Sequence, residues 1–142
     1  MNELHQLAQL IVSCWRVSGN GTDRIPTSHG MLDRALKAVS DSGGFPDWAK
    51  ERLTFVDSRI GLQCVELPGI LEWAQRAQLT SAPNPSYETT EVQVSDRVAS
   101  KLLRDLKVSA DDAKTWGEML REATEEAKTA FAEVDHALIE EY

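Results

Sequence analysis

The feature that most constrains the fold is a stripe of apolar residues along the last 30 positions of the chain. Its spacings alternate between three and four residues, which is the pattern of a coiled-coil-like helix seam. Most of the side chains are small, so another helix can approach closely. The seam consists of Ala113, Trp116, Leu120, Ala123, Ala127, Ala130, Val134 and Ala137. A long final helix that docks onto another helix is therefore predicted.

The first 80 residues are predicted to form a helical N-terminal unit. Apolar residues recur at helical spacing in three stretches that begin near Leu4, Met31 and Leu67, and Pro46 opens a further short helix. Residues 53–67 fit either a small β-hairpin or a continued helix, and the hairpin is favoured. Residues 81–90 contain Pro83 and are predicted to be a linker.

Residues 91–142 are predicted to form an acidic C-terminal helical hairpin that follows a very short strand at 91–94. Its helices are expected at about 95–107 and 110–138, capped by Ser95 and Ser109. At 1.5 Å per residue the last helix would be about 44 Å long, more than twice the length of its neighbour. The fold class is thus mainly α, with a long last helix.

The part of the seam that the shorter helix leaves uncovered is expected to meet either the N-terminal unit or a second copy of the chain. A homodimer is favoured, because long apolar stripes are uncommon on the surfaces of monomers. The predicted self-association residues are Trp116, Leu120, Ala123, Ala127 and Ala130.

The negative charge is concentrated in the C-terminal part. The net charge is −8, and residues 1–80 hold 8 basic and 9 acidic side chains, whereas residues 81–142 hold 7 and 14. Such a region repels nucleic acid and anionic membranes and favours a basic protein partner. No apolar run approaches the roughly 18 residues of a membrane span, and no secretion signal is present, so a cytoplasmic location is expected.

The predicted partner-binding residues combine charge with one aromatic side chain. Carboxylates on the last helix are expected on its outer faces, because its seam is apolar. Trp73 lies at the edge of the apolar face of its helix and is the first choice for an exposed anchor. Acids at the end of the last helix are disfavoured by the helix dipole, so either the last turn frays or this end meets a basic partner. The full set is Trp73, Glu118, Glu122, Glu125, Glu126, Asp135, Glu140 and Glu141.

The sequence holds no catalytic or cofactor motif that points to a specific chemistry. Cys14, His29 and Cys64 are far apart and lack the spacing of metal ligands, so no metal, cofactor or catalytic residue is predicted. The leading hypothesis is a non-enzymatic protein-interaction module, such as an inhibitor, an immunity-type protein or an assembly adaptor. An enzyme whose site assembles from scattered residues such as His29, Asp33 and Cys64 remains an alternative.

One segment suggests a different alternative. Residues 92–96 (VQVSD), a helix through Leu106 and residues 117–123 (GEMLREA) are together similar to the ribbon-helix-helix family of DNA-binding dimers. This resemblance spans under a quarter of the chain. It implies a DNA-binding regulator, although the negative charge of the region opposes contact with phosphates.

Overall fold

The protein is mainly helical, as predicted. The computed structural model describes residues 3–19, 24–27, 30–59, 61–81 and 89–140, with the backbone alone for residues 130–140. In chain order the elements are α1 (Glu3–Val17), β1 (Arg24–Pro26), α2 (Met31–Asp41), α3 (Asp47–Arg52), β2 (Phe55–Ser58), β3 (Gly61–Cys64), α4 (Leu67–Arg76), β4 (Thr89–Glu91), α5 (Asp96–Asp105) and α6 (Ala110–Glu140).

Helix α1 is the centre of the fold. Helices α4, α5 and α6 all pack against it. The sequence predicts one apolar face, but every residue from Leu10 to Trp15 is buried. A helix that is covered on several sides needs small or apolar residues all round, and Ser13 and Cys14 meet that need.

Helix α2 packs against α6 beside α1. It ends before Gly43, as predicted, and Gly43 adopts a left-handed backbone conformation with φ of +83°. The backbone then passes close to α6, since a Cβ atom on Gly44 would lie 3.1 Å from the Trp116 ring. Phe45 meets the same ring edge to face, with the centroids 6.0 Å apart.

The hairpin predicted within residues 53–67 is confirmed. Strands β2 and β3 are antiparallel, with Phe55 opposite Cys64 and Ser58 opposite Gly61. The turn requires a backbone conformation that favours glycine, because φ at Gly61 is +110°.

A second pair of strands joins distant parts of the chain. Strand β4 pairs with β1, so that Arg24 lies opposite Glu91, and Val92 forms a bridge to Thr80. The strand predicted at 91–94 is therefore displaced: β4 begins at Thr89 and ends at Glu91, and residues 93–94 are not part of a strand. Strand β1 was not expected from the sequence, because three residues ending in a proline carry almost no strand signal.

Both sides of the predicted linker contribute to one hydrophobic core. Its buried cluster includes Leu7 and Leu36 from the first part of the chain and Leu103 and Leu120 from the second. Residues 82–88 lie outside the described residues. The division into units at 1–80 and 91–142 remains a prediction, and the shared core indicates that these segments stabilise each other.

The capping predictions for α5 and α6 are confirmed. The Ser95 hydroxyl accepts a hydrogen bond from the Val98 amide at 3.2 Å, and the Ser109 hydroxyl accepts one from the Asp112 amide at 3.1 Å. Helix α6 has 31 residues. It is therefore about 46 Å long at 1.5 Å per residue.

The seam of α6 packs inside the chain from Ala113 to Ala127. Ala113 and Leu120 are fully buried and Ala127 is 8% exposed. The cover comes mainly from α1 and α2 rather than from α5. The sequence allows this seam to be covered either by the N-terminal elements or by a second copy of the chain. In the structure the N-terminal elements cover it.

Candidate functional site

The predicted acidic residues in the middle of α6 form one exposed face. Glu118, Glu122, Glu125 and Glu126, hereafter the acidic face, are all exposed. Their spacing of three and four residues places them on one side of the helix. Among the described residues none of the four carboxylates has an ion-pair partner within 4.0 Å.

A shallow groove runs beside the acidic face, where α6 meets α2. Its volume is about 220 Å³. It is walled by small or apolar side chains and by two carboxylates of the acidic face, and its lining is Ala38, Val39, Ser42, Met119, Glu122, Ala123 and Glu126. A groove lined by both apolar side chains and carboxylates suits an aliphatic side chain that ends in a positive charge.

Arg121 is the basic residue of α6 that lies among these four glutamates in sequence, and the structure directs it towards α1. The sequence predicts that Arg121 pairs with Glu125, four residues later on the same helix. Instead its Nη2 donates to the Trp15 carbonyl oxygen at 2.6 Å and its Nε donates to Ser18 Oγ at 2.9 Å. The guanidinium also lies over the Trp15 ring, 4.7 Å from its centroid. Arg121 therefore joins α6 to α1.

Trp73 is partly buried on α4 and not fully exposed. Its ring stacks on His5 with the centroids 5.3 Å apart. Arg76 lies over the ring at 6.0 Å and its Nη2 is 2.7 Å from Glu72 Oε1. A contact between Trp73 and a partner stays a prediction.

The structure describes the side chains of some of the other predicted interaction residues but not of all of them. Trp116 and Ala123 are partly buried against the core, next to the buried Leu120 and Ala127. Ala130, Asp135 and Glu140 lie where only the backbone is described, and Glu141 lies outside the described residues. Self-association of the seam and binding through the last acids stay predictions.

The fold does bring together two of the scattered residues named for a possible enzyme site. The Cys64 amide donates to Asp33 Oδ2 at 2.7 Å, and both residues line a cavity of about 510 Å³ between β3 and α4. Burial raises the pKa of the Cys64 thiol to about 11, so it is protonated at neutral pH and is a poor nucleophile. His29 lies outside the described residues.

The described residues contain neither a metal-binding cluster nor a membrane-spanning helix. No group of three or more His, Cys, Asp and Glu side chains in these ranges is placed to hold a metal ion. None of the described helices combines the length and the apolar character needed to cross a membrane.

Comparisons with protein-family models, with curated proteins and with solved structures find no match to this chain. The functional interpretation therefore depends on the site's own geometry and charge.

Proposed function

We propose that the protein is a non-enzymatic interaction module that binds a basic protein partner through the acidic face of α6. An inhibitor, an immunity-type neutraliser and an assembly adaptor all belong to this class. The observation that carries the proposal is the row of four exposed carboxylates, without ion-pair partners among the described residues, beside a groove that is lined partly by apolar side chains.

The acidic face is unfavourable for the isolated helix. Glu118 and Glu122 are four residues apart, as are Glu122 and Glu126, and like charges at this spacing destabilise a helix by about 0.2–0.5 kcal/mol per pair. Arg121, which lies between Glu118 and Glu125 in sequence, directs its Nη2 to the Trp15 carbonyl oxygen of α1. Lysine or arginine side chains of a partner would relieve this repulsion.

The groove adds a reason to expect a protein partner and not merely counterions. Lysine and arginine bury their aliphatic stems on apolar surface while the charged end stays in water. Met119 and Ala123 supply such a surface, and Glu122 and Glu126 stand at its edge. Charge at the rim of an interface mainly raises the association rate and makes binding salt-dependent.

The test is capture of partners from the native host by the immobilised protein, with mass spectrometry of what is retained. A charge-neutral variant carries Glu118→Gln, Glu122→Gln, Glu125→Gln and Glu126→Gln. A matched control neutralises four exposed carboxylates elsewhere, namely Glu51→Gln, Asp57→Asn, Glu91→Gln and Asp105→Asn. Each variant removes four negative charges from a net charge of −8, so the two differ only in where the charge is lost.

The proposal predicts a basic partner that the wild-type chain and the control retain and that the acidic-face variant loses. Retention should weaken as salt rises, because the Debye length falls from about 30 Å at 0.01 M to about 8 Å at 0.15 M ionic strength. Equal retention by the two variants, or salt-independent capture of an acidic partner, would reject the proposal.

The predicted homodimer is a separate proposal. From Trp116 to Ala127 the seam is already packed within one chain, so a second copy would have to use the seam from Ala130 onward. Light scattering at high protein concentration gives the molar mass and so distinguishes a monomer from a dimer. A dimer supports the prediction, and a monomer assigns the seam to packing within one chain.

A further inference from the structure

A second groove, distinct from the acidic face, lies where α5 meets the start of α6. Its volume is about 550 Å³, within the range of roughly 300–1,000 Å³ that is usual for small-molecule sites. Its floor is apolar and is formed by Val17, Leu103 and Val108. Leu103 is 3% exposed and Val108 is 6% exposed, so the floor is part of the packed core and is already formed.

Three cationic side chains line this groove. Arg97 and Arg104 are two helical turns apart on one face of α5, and Lys114 comes from the second turn of α6. None of the three has an ion-pair partner among the described residues. The lining includes one carboxylate, Asp111, so positive charge is in excess there.

This excess of positive charge is notable in a chain with 23 acidic and 15 basic side chains. Elsewhere several cations are paired, as Arg16 is with Asp96 and Lys37 is with Asp41. The first residue of α6, Ala110, also lines the groove. The positive end of the helix dipole therefore adds to the field of the three side chains.

We propose that this groove binds an amphipathic organic anion, namely a free alkyl carboxylate of medium chain length. The alkyl chain would lie on the floor formed by Val17, Leu103 and Val108. The carboxylate would be bound by Arg97 and Arg104, with Lys114 as the third positive charge. Guanidinium groups suit this task because they donate paired hydrogen bonds to a carboxylate.

The test is a titration of the full chain with sodium decanoate, kept below its micelle concentration and followed by amide chemical shifts in ¹⁵N-resolved NMR spectra. Saturable shifts are expected at Val17, along α5 and at the start of α6. Decanol has the same alkyl chain without the charge, so it should bind at least about tenfold more weakly when two charged hydrogen bonds are lost. This comparison uses the unmodified protein and does not depend on any variant folding.

A pair of variants tests the cations. Arg97→Gln with Arg104→Gln should weaken decanoate binding roughly tenfold. Lys101→Gln with Lys128→Gln is the matched control, since it removes two exposed positive charges outside the groove. All four positions are exposed, so both variants should keep the circular dichroism spectrum of the parent chain.

Four results would overturn the proposal. They are no saturable shift with decanoate, shifts centred away from the groove, equal affinity for decanol, and equal weakening by the two pairs of substitutions. The last would mean that net charge, and not this groove, attracts the anion.

Discussion

Gly117 lies where α6 crosses α1, and we expect a single added methyl group there to separate the two helices. A Cβ atom at this position would overlap the Cys14 carbonyl oxygen and would lie 2.5 Å from Ser18 Oγ. The obstructing oxygen belongs to the backbone of the central helix. It cannot move without shifting α1 itself, so Gly117→Ala forces a rearrangement of the core.

The expected magnitude follows from three contributions. At an exposed position inside a helix, replacing glycine by alanine raises the free energy of unfolding by about 1 kcal/mol. Here overpacking costs about 1–3 kcal/mol. The Arg121 hydrogen bonds to Trp15 and Ser18, one turn further along α6, lose their alignment, and bonds from a charged donor are worth about 1.5–3 kcal/mol. The net result is a loss of about 1.5–5 kcal/mol in the free energy of unfolding.

Urea unfolding followed by circular dichroism measures this change, and Gly69→Ala on α4 is the control. A Cβ atom on Gly69 would meet Leu4 Cδ1 at 2.8 Å. That atom is the end of a flexible side chain and can rotate away, so the control should stay within about 1 kcal/mol of the parent. If Gly117→Ala is as stable as the parent chain or more stable, the close crossing of α1 and α6 is wrong.

Three further predictions concern stability and use the same urea assay. Arg121→Gln should lower the free energy of unfolding by about 1.5–3 kcal/mol, because it removes charged hydrogen bonds to α1. An unchanged free energy of unfolding would show that these bonds are not formed. Ser95→Ala and Ser109→Ala each remove an N-cap hydrogen bond and should each lower the free energy of unfolding by about 1 kcal/mol. The two effects should add if the starts of the two helices are independent. Burial raises the pKa of Cys14 to about 12 and of Cys64 to about 11, above the ordinary 9.0. Because the thiols of the unfolded chain ionise first, this contribution to the free energy of unfolding is complete below about pH 9. It should decline above that, towards pH 11 for Cys64 and pH 12 for Cys14. A Cys64→Ala variant should lose part of that decline, and an unchanged pH dependence would contradict the assignment to this thiol.

Local signals in the sequence were sufficient for most of the helical fold. The three–four spacing that includes Ala113 and Leu120 correctly places the buried face of α6, since packing follows the helical period. Ser95 and Ser109 mark the starts of α5 and α6, because an N-cap hydrogen bond joins residues three positions apart. Within residues 53–67, two short apolar segments on either side of residues 57–61 favour a hairpin over a continued helix, and the structure has that hairpin.

Contacts between distant residues could not be predicted in the same way. The pairing of β1 with β4 joins Arg24 to Glu91, and strands of three residues give no usable period. Arg121 matches the local rule for pairing with Glu125, but its partners lie on α1, more than 100 positions away in sequence. Arg121 therefore makes strong hydrogen bonds to a distant helix instead of a weak ion pair with a residue nearby in sequence.

The candidate sites differ in the same way: one follows from local spacing in the sequence, and the others depend on contacts between distant residues. The acidic face could be predicted, because carboxylates excluded from an apolar seam must lie on the outside of the helix. The groove between α5 and α6 could not, because Arg97, Arg104 and Lys114 come from two helices and share it with Val17 of a third. Likewise, the proximity of Asp33 and Cys64 arises from packing between α2 and β3 and not from any spacing in the sequence.

The most direct test of the central claim is zero-length carbodiimide cross-linking of the protein to its captured basic partner, with mass spectrometry of the linked peptides. The reagent joins a carboxylate to a lysine only where the two are in contact. We expect cross-links from Glu118, Glu122, Glu125 or Glu126 to lysines of the partner, and we expect these cross-links to be lost at high salt. Cross-links confined to carboxylates outside α6 would contradict it.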